Sequence, residues 1–241
     1  MAIQKIYKTP DEAVGDIPDG ATIMIGGFGH AVDKPQRLIK ALANRGVRNL
    51  TIISNAAGGA GKLGIGSLGG KPFVDEELLI ENGQVKKVIC SVPASLVMSK
   101  PNAFERLYRE GRIELEIVPQ GTLAEKIRAG GAGVGGFYTP TGVGTQIEKG
   151  KGKRIIEGKE MILEFALRAD YSLIRAYKAD TMGNLTYRGI MRSFNAIMPQ
   201  AVKTAIAEVD QIVDIGNLDP EVIITPGIFI DRVICITGGR V

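Results

Sequence analysis

The sequence predicts an α/β fold, a single domain over residues 1–241 with an open, largely parallel sheet flanked by helices. The first indication is that short apolar runs alternate with amphipathic stretches of helical period, as parallel strands alternate with crossover helices. The second is that no linker, internal repeat or low-complexity tail divides the chain. The length of 241 residues alone would allow one large α/β domain or two small ones.

The first elements follow this alternation. "TPDEAVGDI" predicts a short helix capped by Thr9 or Asp11, and Ala21–Ile25 reads as a buried strand that ends in Gly-Gly. "DKPQRLIKALANRGV" has an apolar stripe, starts near Pro35 and ends at Gly46, which is typical of an amphipathic helix. "NLTIISNAAG" and "KKVICSVPA" are the next two strands.

The second half continues in the same way. "PNAFERLYREGRI" predicts a helix, "IELEIVPQG" a strand, and "TLAEKIRAGGAG" a helix from near Thr122. "GKEMILEFAL" predicts a strand and the start of a helix, "YSLIRAYKAD" a strand, and "GNLTYRG" a turn and strand. "MPQAVKTAIAEVDQIVD" is expected to begin as a helix and to become a strand from about Thr204.

Composition narrows the possible functions. The net charge is +4, and the basic segment 148–160 is diluted by Gly and Glu, so we expect a solvated loop there. The chain has no Trp, and no aromatic residue lies within this basic segment, so a nucleic-acid surface is not predicted. No apolar run approaches the roughly 18–20 residues of a membrane span, and the N-terminus lacks the apolar region of a signal peptide. We therefore expect a cytoplasmic protein that does not interact with membranes.

The cysteines and the histidine argue against further kinds of functional site. Cys90 and Cys235 each lie in an apolar run, which predicts two buried, reduced thiols. His30 is the only histidine, so the sequence predicts neither a metal site nor a Ser-His-Asp triad.

Three segments fall at carboxyl ends of predicted strands, where open α/β sheets bind their ligands. They are "GGFGH" at 26–30, "SNAAGG" at 54–59 and "PQGTLAEK" at 119–126. The spacing does not fit a dinucleotide fingerprint, and no P-loop motif occurs. The glycine-rich segment 128–145 is either a flexible loop or a place where backbone passes close to a ligand.

Taken in order, these segments resemble the alpha (A) subunit of family I CoA-transferases of the 3-oxoacid or acetate/butyrate type. The resemblance rests on "DIPDGATIMIGGFG", "SNAAG", "YKADTMGNLTYR", "SFNAIM" and, most specifically, "FERLYREGRIELEIVPQGTLAEKIRAGGAGVGGFYTPTGVGT". It implies that CoA moves from an acyl-CoA to a free carboxylic acid through a glutamyl-CoA thioester. Coenzyme A is then a substrate, and no cofactor or metal is expected.

The resemblance also assigns residues. In the family the nucleophilic glutamate lies on the beta subunit in a Ser-Glu-Asn-Gly setting, which is missing here, and the chain has about the length of one alpha subunit. The expected partner is therefore a beta subunit, in an alpha2beta2 assembly. Gln120 matches the oxyanion donor. The residues expected at the substrate are Gly26, Gly27, Phe28, Gly29, Asn55 and Gly131.

The sequence leaves the roles of some residues open, and it departs from the family's pattern in places. Gln120 could instead cap the helix that begins near Thr122. "HAVDKP" at 30–35 departs from the family's Gly-Ile-Pro, so the acid specificity is open between acetoacetate, acetate, butyrate, 3-oxoadipate and succinate. Within that segment, His30 is expected to be an exposed loop residue. Glu81 in "IENGQVKKV" lacks the serine of the beta motif, so we expect Asn82-Gly83 to be only a turn.

Other functions are also conceivable for this sheet. One is an acyl-CoA hydrolase, and another is a sugar-phosphate isomerase that draws on the acids of "DEELL". A third is a non-catalytic ligand-binding relative. A neighbouring reading frame that encodes Ser-Glu-Asn-Gly would favour the transferase.

Overall fold

The computed structural model describes residues 4–97 and 99–236. The strands of their main sheet are β1 Thr22–Ile25, β2 Leu50–Ile53, β3 Val85–Cys90, β4 Glu114–Ile117, β8 Ala169–Asp180, β9 Leu185–Thr186, β10 Val202–Val213 and β11 Arg232–Cys235. The strand order is β11-β10-β8-β1-β2-β3-β4, with every neighbouring pair parallel, and the short strand β9 pairs with β8 in antiparallel sense. This confirms the predicted open, largely parallel sheet.

Helices cover both faces of this sheet, as expected. Alternate strand residues point to opposite faces, so Ile23 and Ile25 of β1 pack in one core while Met24 packs in the other. The first core contains side chains of α1 Pro10–Ala13, α2 Gln36–Arg45, α4 Glu77–Glu81 and α5 Ala103–Arg109. The second contains side chains of α6 Gln120–Gly131 and of the 3-10 segments Gly189–Met191, Phe194–Ala196 and Met198–Ala201. The remaining short helix is α3, Ala60–Leu63.

Helix ends are where the sequence places them in the first half of the chain. The Thr9 hydroxyl accepts the Glu12 amide hydrogen at 3.1 Å and caps α1. Pro35 precedes α2, and Gly46 ends it with φ 73°. Glu81 is the last residue of α4, and Gly83 has φ 66°, which confirms the turn at Asn82-Gly83.

A second, antiparallel sheet was not predicted. It has the order β5-β7-β6, from Gly136–Thr139, Lys159–Phe165 and Lys153–Ile156. The expected loop at 148–160 is therefore in part a hairpin, which turns at Glu157 and Gly158 with φ 52° and 75°. The exposure of β6 along its whole length hides the apolar alternation that would identify a strand.

Three boundaries differ from expectation. β7 runs to Phe165, and the next residues reach β8 without the helix that "EFAL" was expected to begin. β10 begins at Val202 instead of Thr204, after the 3-10 turn Met198–Ala201. α6 begins at Gln120 instead of Thr122. Pro119 is the N-cap residue of that helix, so the helical conformation begins directly after it.

Candidate active site

Three of the predicted segments meet at one edge of the main sheet. Because β1, β2, β3 and β4 are parallel neighbours, the residues that follow them lie at the same edge. The turn after β1 is joined to β8 through Gly26, whose amide donates to the Leu173 carbonyl oxygen at 2.9 Å. Asn55, after β2, is joined to the chain after β3, because its carbonyl oxygen accepts the Ser91 and Val92 amides at 3.0 Å each.

The side chains of Gln120 and Asn55 are in direct contact at this edge. Nε2 of Gln120 donates to Oδ1 of Asn55 at 2.8 Å. Asn55 is buried and Gln120 is exposed. Since an amide NH2 group carries two hydrogens, this contact uses one donor of Gln120, and a second donor remains for a ligand.

Gln120 does not cap its helix. It is the first helical residue, Pro119 holds the N-cap position, and α6 has no side-chain cap hydrogen bond. The helix-capping interpretation of Gln120 is therefore wrong, because the side chain points to Asn55 and not to the amides of the first turn.

The glycines after β1 have identifiable packing reasons. A Cβ at Gly26 would overlap the side-chain oxygen of Asn195. Gly27 has φ 91°, and a Cβ there would lie 2.7 Å from the Asp33 carbonyl oxygen. Two buried polar residues therefore fill the space beneath this turn, and only glycine allows the backbone to pass over them.

Phe28 and His30 mark the outer side of the same turn. The Phe28 side chain is 42% exposed, and its ring stacks on Phe194 with centroids 6.2 Å apart. The side chain of His30 is 41% exposed, and its Nδ1 lies 3.8 Å from Oδ2 of Asp33. His30 thus agrees with the expected loop position. Gly29, with φ 104°, has open space around its Cα.

The structure does not bring Gly131 to these residues. Gly131 ends the 12-residue α6, which Gln120 begins, and a rise of about 1.5 Å per residue separates the two by roughly 16 Å. A Cβ at Gly131 would lie 2.7 Å from the Gln200 Cβ, so close packing explains this glycine. Residues 136–139 of the same glycine-rich segment form β5, beyond that end of α6.

The acids of "DEELL" are engaged in structural contacts. Asp75 accepts the Gly61 amide at 2.7 Å, and Glu77 accepts the Ala103 amide at 2.8 Å. Glu76 forms a fully buried ion pair with Lys34 at 2.8 Å. Burial raises the pKa of the Glu76 and Glu77 carboxyls above their ordinary values. These contacts remove the basis for an isomerase centred on these acids.

The Glu81 carboxylate also forms ion pairs, with side chains other than Asn55 and Gln120. It pairs with Lys62 and lies 3.6 Å from a guanidinium nitrogen of Arg106. The three side chains come from α3, α4 and α5, so the contact ties these helices together.

The cysteines and remaining motifs add no further reactive centre. Across residues 4–97 and 99–236, no cluster of three or more His, Cys, Asp or Glu side chains could hold a metal ion. Cys90 is buried, which raises the pKa of its thiol to about 12, and Cys235 is half-buried.

No helix in the described part of the chain is long and apolar enough to cross a membrane.

Sequence reasoning missed two residues of this site, Asp33 and Asn195. Both side chains are completely buried, and Nδ2 of Asn195 donates to the Asp33 carbonyl oxygen at 2.9 Å. The signal that was available is local: Asn195 lies in "SFNAIM", which resembles the family, and Asp33 lies in "HAVDKP", which departs from it. Their contact spans 162 positions in the chain and is not readable from either segment.

Comparison with known proteins finds similarity to CoA-transferases. A family model described as Coenzyme A transferase matches residues 7–235. The chain is 50% identical over 236 residues to the A subunit of a 3-oxoadipate CoA-transferase of Pseudomonas putida, covering 98% of this chain and 95% of that protein. It is 44% identical over 228 residues to the alpha subunit of an acetate CoA-transferase of Escherichia coli K12, covering 94% of each.

A solved structure with the same fold is the acyl-CoA transferase of Escherichia coli O157:H7. The TM-score is 0.80 at 24% identity, and the match covers 98% of this chain and 48% of that one. At that identity the comparison shows the shared fold.

Proposed function

The chain belongs to the coenzyme A transferase family, and we propose that it is the alpha subunit of an enzyme that moves CoA from an acyl-CoA to a free carboxylic acid. The main structural support for this proposal is the hydrogen bond between Gln120 and Asn55 at the carboxyl edge of the sheet. Nε2 of Gln120 lies 2.8 Å from Oδ1 of Asn55, and Gln120 is exposed. It presents a neutral, oriented donor to a ligand at that edge.

The chemistry of the transfer requires such a donor. A glutamate carboxylate on the beta partner attacks the thioester carbonyl of the acyl-CoA, the C–S bond breaks, and an acyl-glutamyl anhydride forms as CoA thiolate leaves. The thiolate then attacks the glutamyl carbonyl, which releases the first acid and leaves a glutamyl-CoA thioester. A second acid reverses these steps and carries CoA away. Each attack creates an oxyanion, which fixed hydrogen-bond donors stabilise.

Gln120 supplies that donor, and Asn55 fixes its orientation. An amide neither gains nor loses a proton near neutral pH, so Gln120 can stabilise negative charge without competing as an acid. The hydrogen bond that Asn55 Oδ1 accepts reduces the rotational freedom of the Gln120 side chain before the substrate arrives.

The nucleophile is supplied by a partner chain. The names of the relatives specify an A or alpha subunit, which supports a beta partner for this chain, and we propose an alpha2beta2 assembly. Exposed apolar side chains at the same sheet edge support a protein partner there: Phe28, Val32, Val92 and Leu96. Burial against the partner would also remove water from the reacting groups.

For the accepting acid we propose a small 3-oxo acid. The support is the 50% identity with a relative whose name specifies 3-oxoadipate, against 44% for one that specifies acetate. A panel of 3-oxoadipate, acetoacetate, acetate and butyrate, assayed with succinyl-CoA as donor, ranks these acids by kcat/KM.

Mass spectrometry of the intermediate tests the proposed division of labour. The assembled enzyme is incubated with acyl-CoA without an acceptor acid, digested, and searched for peptides that carry CoA. We expect the thioester on a glutamate of the partner and unmodified peptides from this chain. A CoA adduct on this chain, for example on Glu81, contradicts the proposal. As a control, Glu81→Gln should leave the amount of adduct unchanged.

A further inference from the structure

The buried carboxylate of Asp33 holds the glycine turn that follows β1. Asp33 is completely buried. Its Oδ2 accepts the Phe28 amide at 2.6 Å, and its Oδ1 accepts the His30 amide at 3.0 Å. Both oxygens therefore bind main-chain hydrogens from the two sides of Gly29. Hydrogen bonds from amides to an ionised carboxylate are stronger than those between neutral groups.

We propose that Asp33 is a positioning residue of the transferase site, which acts by fixing the Gly26–Gly29 turn, and with it the Phe28 ring, at the sheet edge that carries the Asn55–Gln120 pair. This inference rests on the proposed function. It concerns a completely buried side chain that acts through the main-chain amides of Phe28 and His30.

The turn needs an external restraint because of its composition. Gly27 and Gly29 have φ 91° and 104°, a region that glycine enters easily and also leaves easily. Without the two hydrogen bonds to Asp33, this backbone has several accessible conformations. With them, the Phe28 side chain is directed onto Phe194, where the rings stack at 6.2 Å.

The segment that carries Asp33 is held by three contacts. Its carbonyl oxygen accepts from Asn195 at 2.9 Å, and the next residue, Lys34, is fixed by the buried ion pair with Glu76. In addition, the Ala31 amide donates to the Gly66 carbonyl oxygen at 3.2 Å. The 30–34 segment is thus held in place. A change in the position of the Asp33 carboxylate would therefore move the turn, because the loop is not free to compensate for it.

Catalysis is sensitive to such displacement. Misplacement of a reacting group by about 1 Å can lower the rate on the order of 10²-fold. In Asp33→Asn, one of the two main-chain amides faces an NH2 group, which cannot accept its hydrogen. We expect kcat of the assembled enzyme to fall roughly 10- to 100-fold while KM for the acyl-CoA changes far less, because the turn positions the reacting carbonyl without holding most of the CoA.

The chain offers a matched control in Asp170→Asn. The Asp170 carboxylate also accepts a main-chain amide of β1, that of Thr22 at 3.0 Å, but at the opposite end of the strand. If Asp33→Asn does not fold, Asp33→Ser is the second variant. The serine hydroxyl oxygen can accept one of the two amide hydrogens, and serine places no NH2 group against the other amide.

The experiment measures kcat and KM of the assembled alpha–beta enzyme for wild type, Asp33→Asn, Asp33→Ser and Asp170→Asn, together with amide hydrogen exchange of peptides that cover 26–33. The proposal expects a selective loss of kcat and faster exchange of the Phe28 and His30 amides in the Asp33 variants, and neither effect in Asp170→Asn. Unchanged kcat in a folded Asp33 variant, or an equal loss in Asp170→Asn, overturns the positioning role. Absence of transfer by the wild-type pair contradicts the proposed function instead.

Discussion

Nε2 of Gln120 lies 2.8 Å from Oδ1 of Asn55, so two residues 65 positions apart share one hydrogen bond at the carboxyl edge of the sheet. The two side chains come from the ends of β2 and β4, with β3 between them. The parallel topology creates this contact, because it places chain segments that are distant in sequence at one edge. The proposed active site depends on this pair.

Removal of the Gln120 amide should remove transition-state stabilisation. In the assembled enzyme, Gln120→Ala is expected to lower kcat by about 10²–10³-fold, the usual cost of one oxyanion donor. Steady-state kinetics with saturating acyl-CoA measure this. Glu125→Ala is the matched control, because Glu125 is exposed on the same helix and pairs only at the surface with Arg128. A loss below about threefold for Gln120→Ala excludes it as an oxyanion donor.

The Asn55–Gln120 hydrogen bond should appear as coupling between the two positions. A double-mutant cycle of Asn55→Ala and Gln120→Ala compares kcat/KM of the single and double variants. Because the side chains are in contact, we expect non-additivity of about 0.5–3 kcal/mol in transition-state free energy. Additive effects would show that the two amides do not act together. The same cycle with Glu125→Ala in place of Gln120→Ala should be additive.

Gly26→Ala should destabilise the fold, because its methyl group would overlap the buried Asn195 amide. We expect a loss of about 1–3 kcal/mol in the free energy of unfolding, the usual cost of overpacking, measured by urea denaturation. Gly121→Ala is the matched control, since a Cβ at that helical position meets nothing within 4 Å. It is expected to stabilise the chain slightly. Equal stability of Gly26→Ala and wild type would contradict the described packing.

The ion pair between Asp16 and Arg232 should contribute to stability only above acidic pH. Nη1 and Nη2 of Arg232 donate to the two carboxylate oxygens at 2.6 Å each, and this hydrogen bonding lowers the pKa of Asp16. A lowered folded-state pKa favours the ionised form in the folded protein. The stabilisation is therefore present above the ordinary pKa of Asp, about 3.9, and is lost as the pH falls through the folded-state value.

Asp16→Asn tests this dependence. Because the Asp16 side chain is 57% exposed, we expect it to lower the free energy of unfolding by at most about 1 kcal/mol at pH 7. The difference from wild type should shrink as the pH falls below about 4. Denaturation curves at several pH values measure it, with the exposed Glu157→Gln as control. A difference that grows toward acid pH would contradict the assignment.

The sequence predicted the parts of this structure that follow from local pattern. Ala21–Ile25 and "NLTIISNAAG" are apolar runs closed by polar or glycine residues, and both form central strands. Because carboxyl ends of parallel strands meet, the sequence also placed the segments of Asn55 and Gln120 at one edge of the sheet, but it did not predict their contact. The resemblance then gave these amides a role that no pattern assigns.

Other features depend on contacts that local pattern does not encode. The Asp33–Asn195 hydrogen bond joins two irregular segments, and a polar residue in a predicted loop gives no sign that it is buried. The antiparallel hairpin of β6 and β7 is rich in lysine and glutamate, so its outer strand resembles a solvated loop. Gly131 shares its motif with Gln120 but lies at the other end of α6, because the intervening residues are helical.

If this chain completes an active site whose nucleophile is on another chain, neither chain alone should transfer CoA. A CoA-transfer assay with succinyl-CoA and 3-oxoadipate compares three samples: the purified chain, a beta subunit that contains Ser-Glu-Asn-Gly, and an equimolar mixture of the two. We expect transfer only by the mixture. Turnover by the purified chain alone, or a mixture without activity toward any acid of the panel, would contradict this expectation.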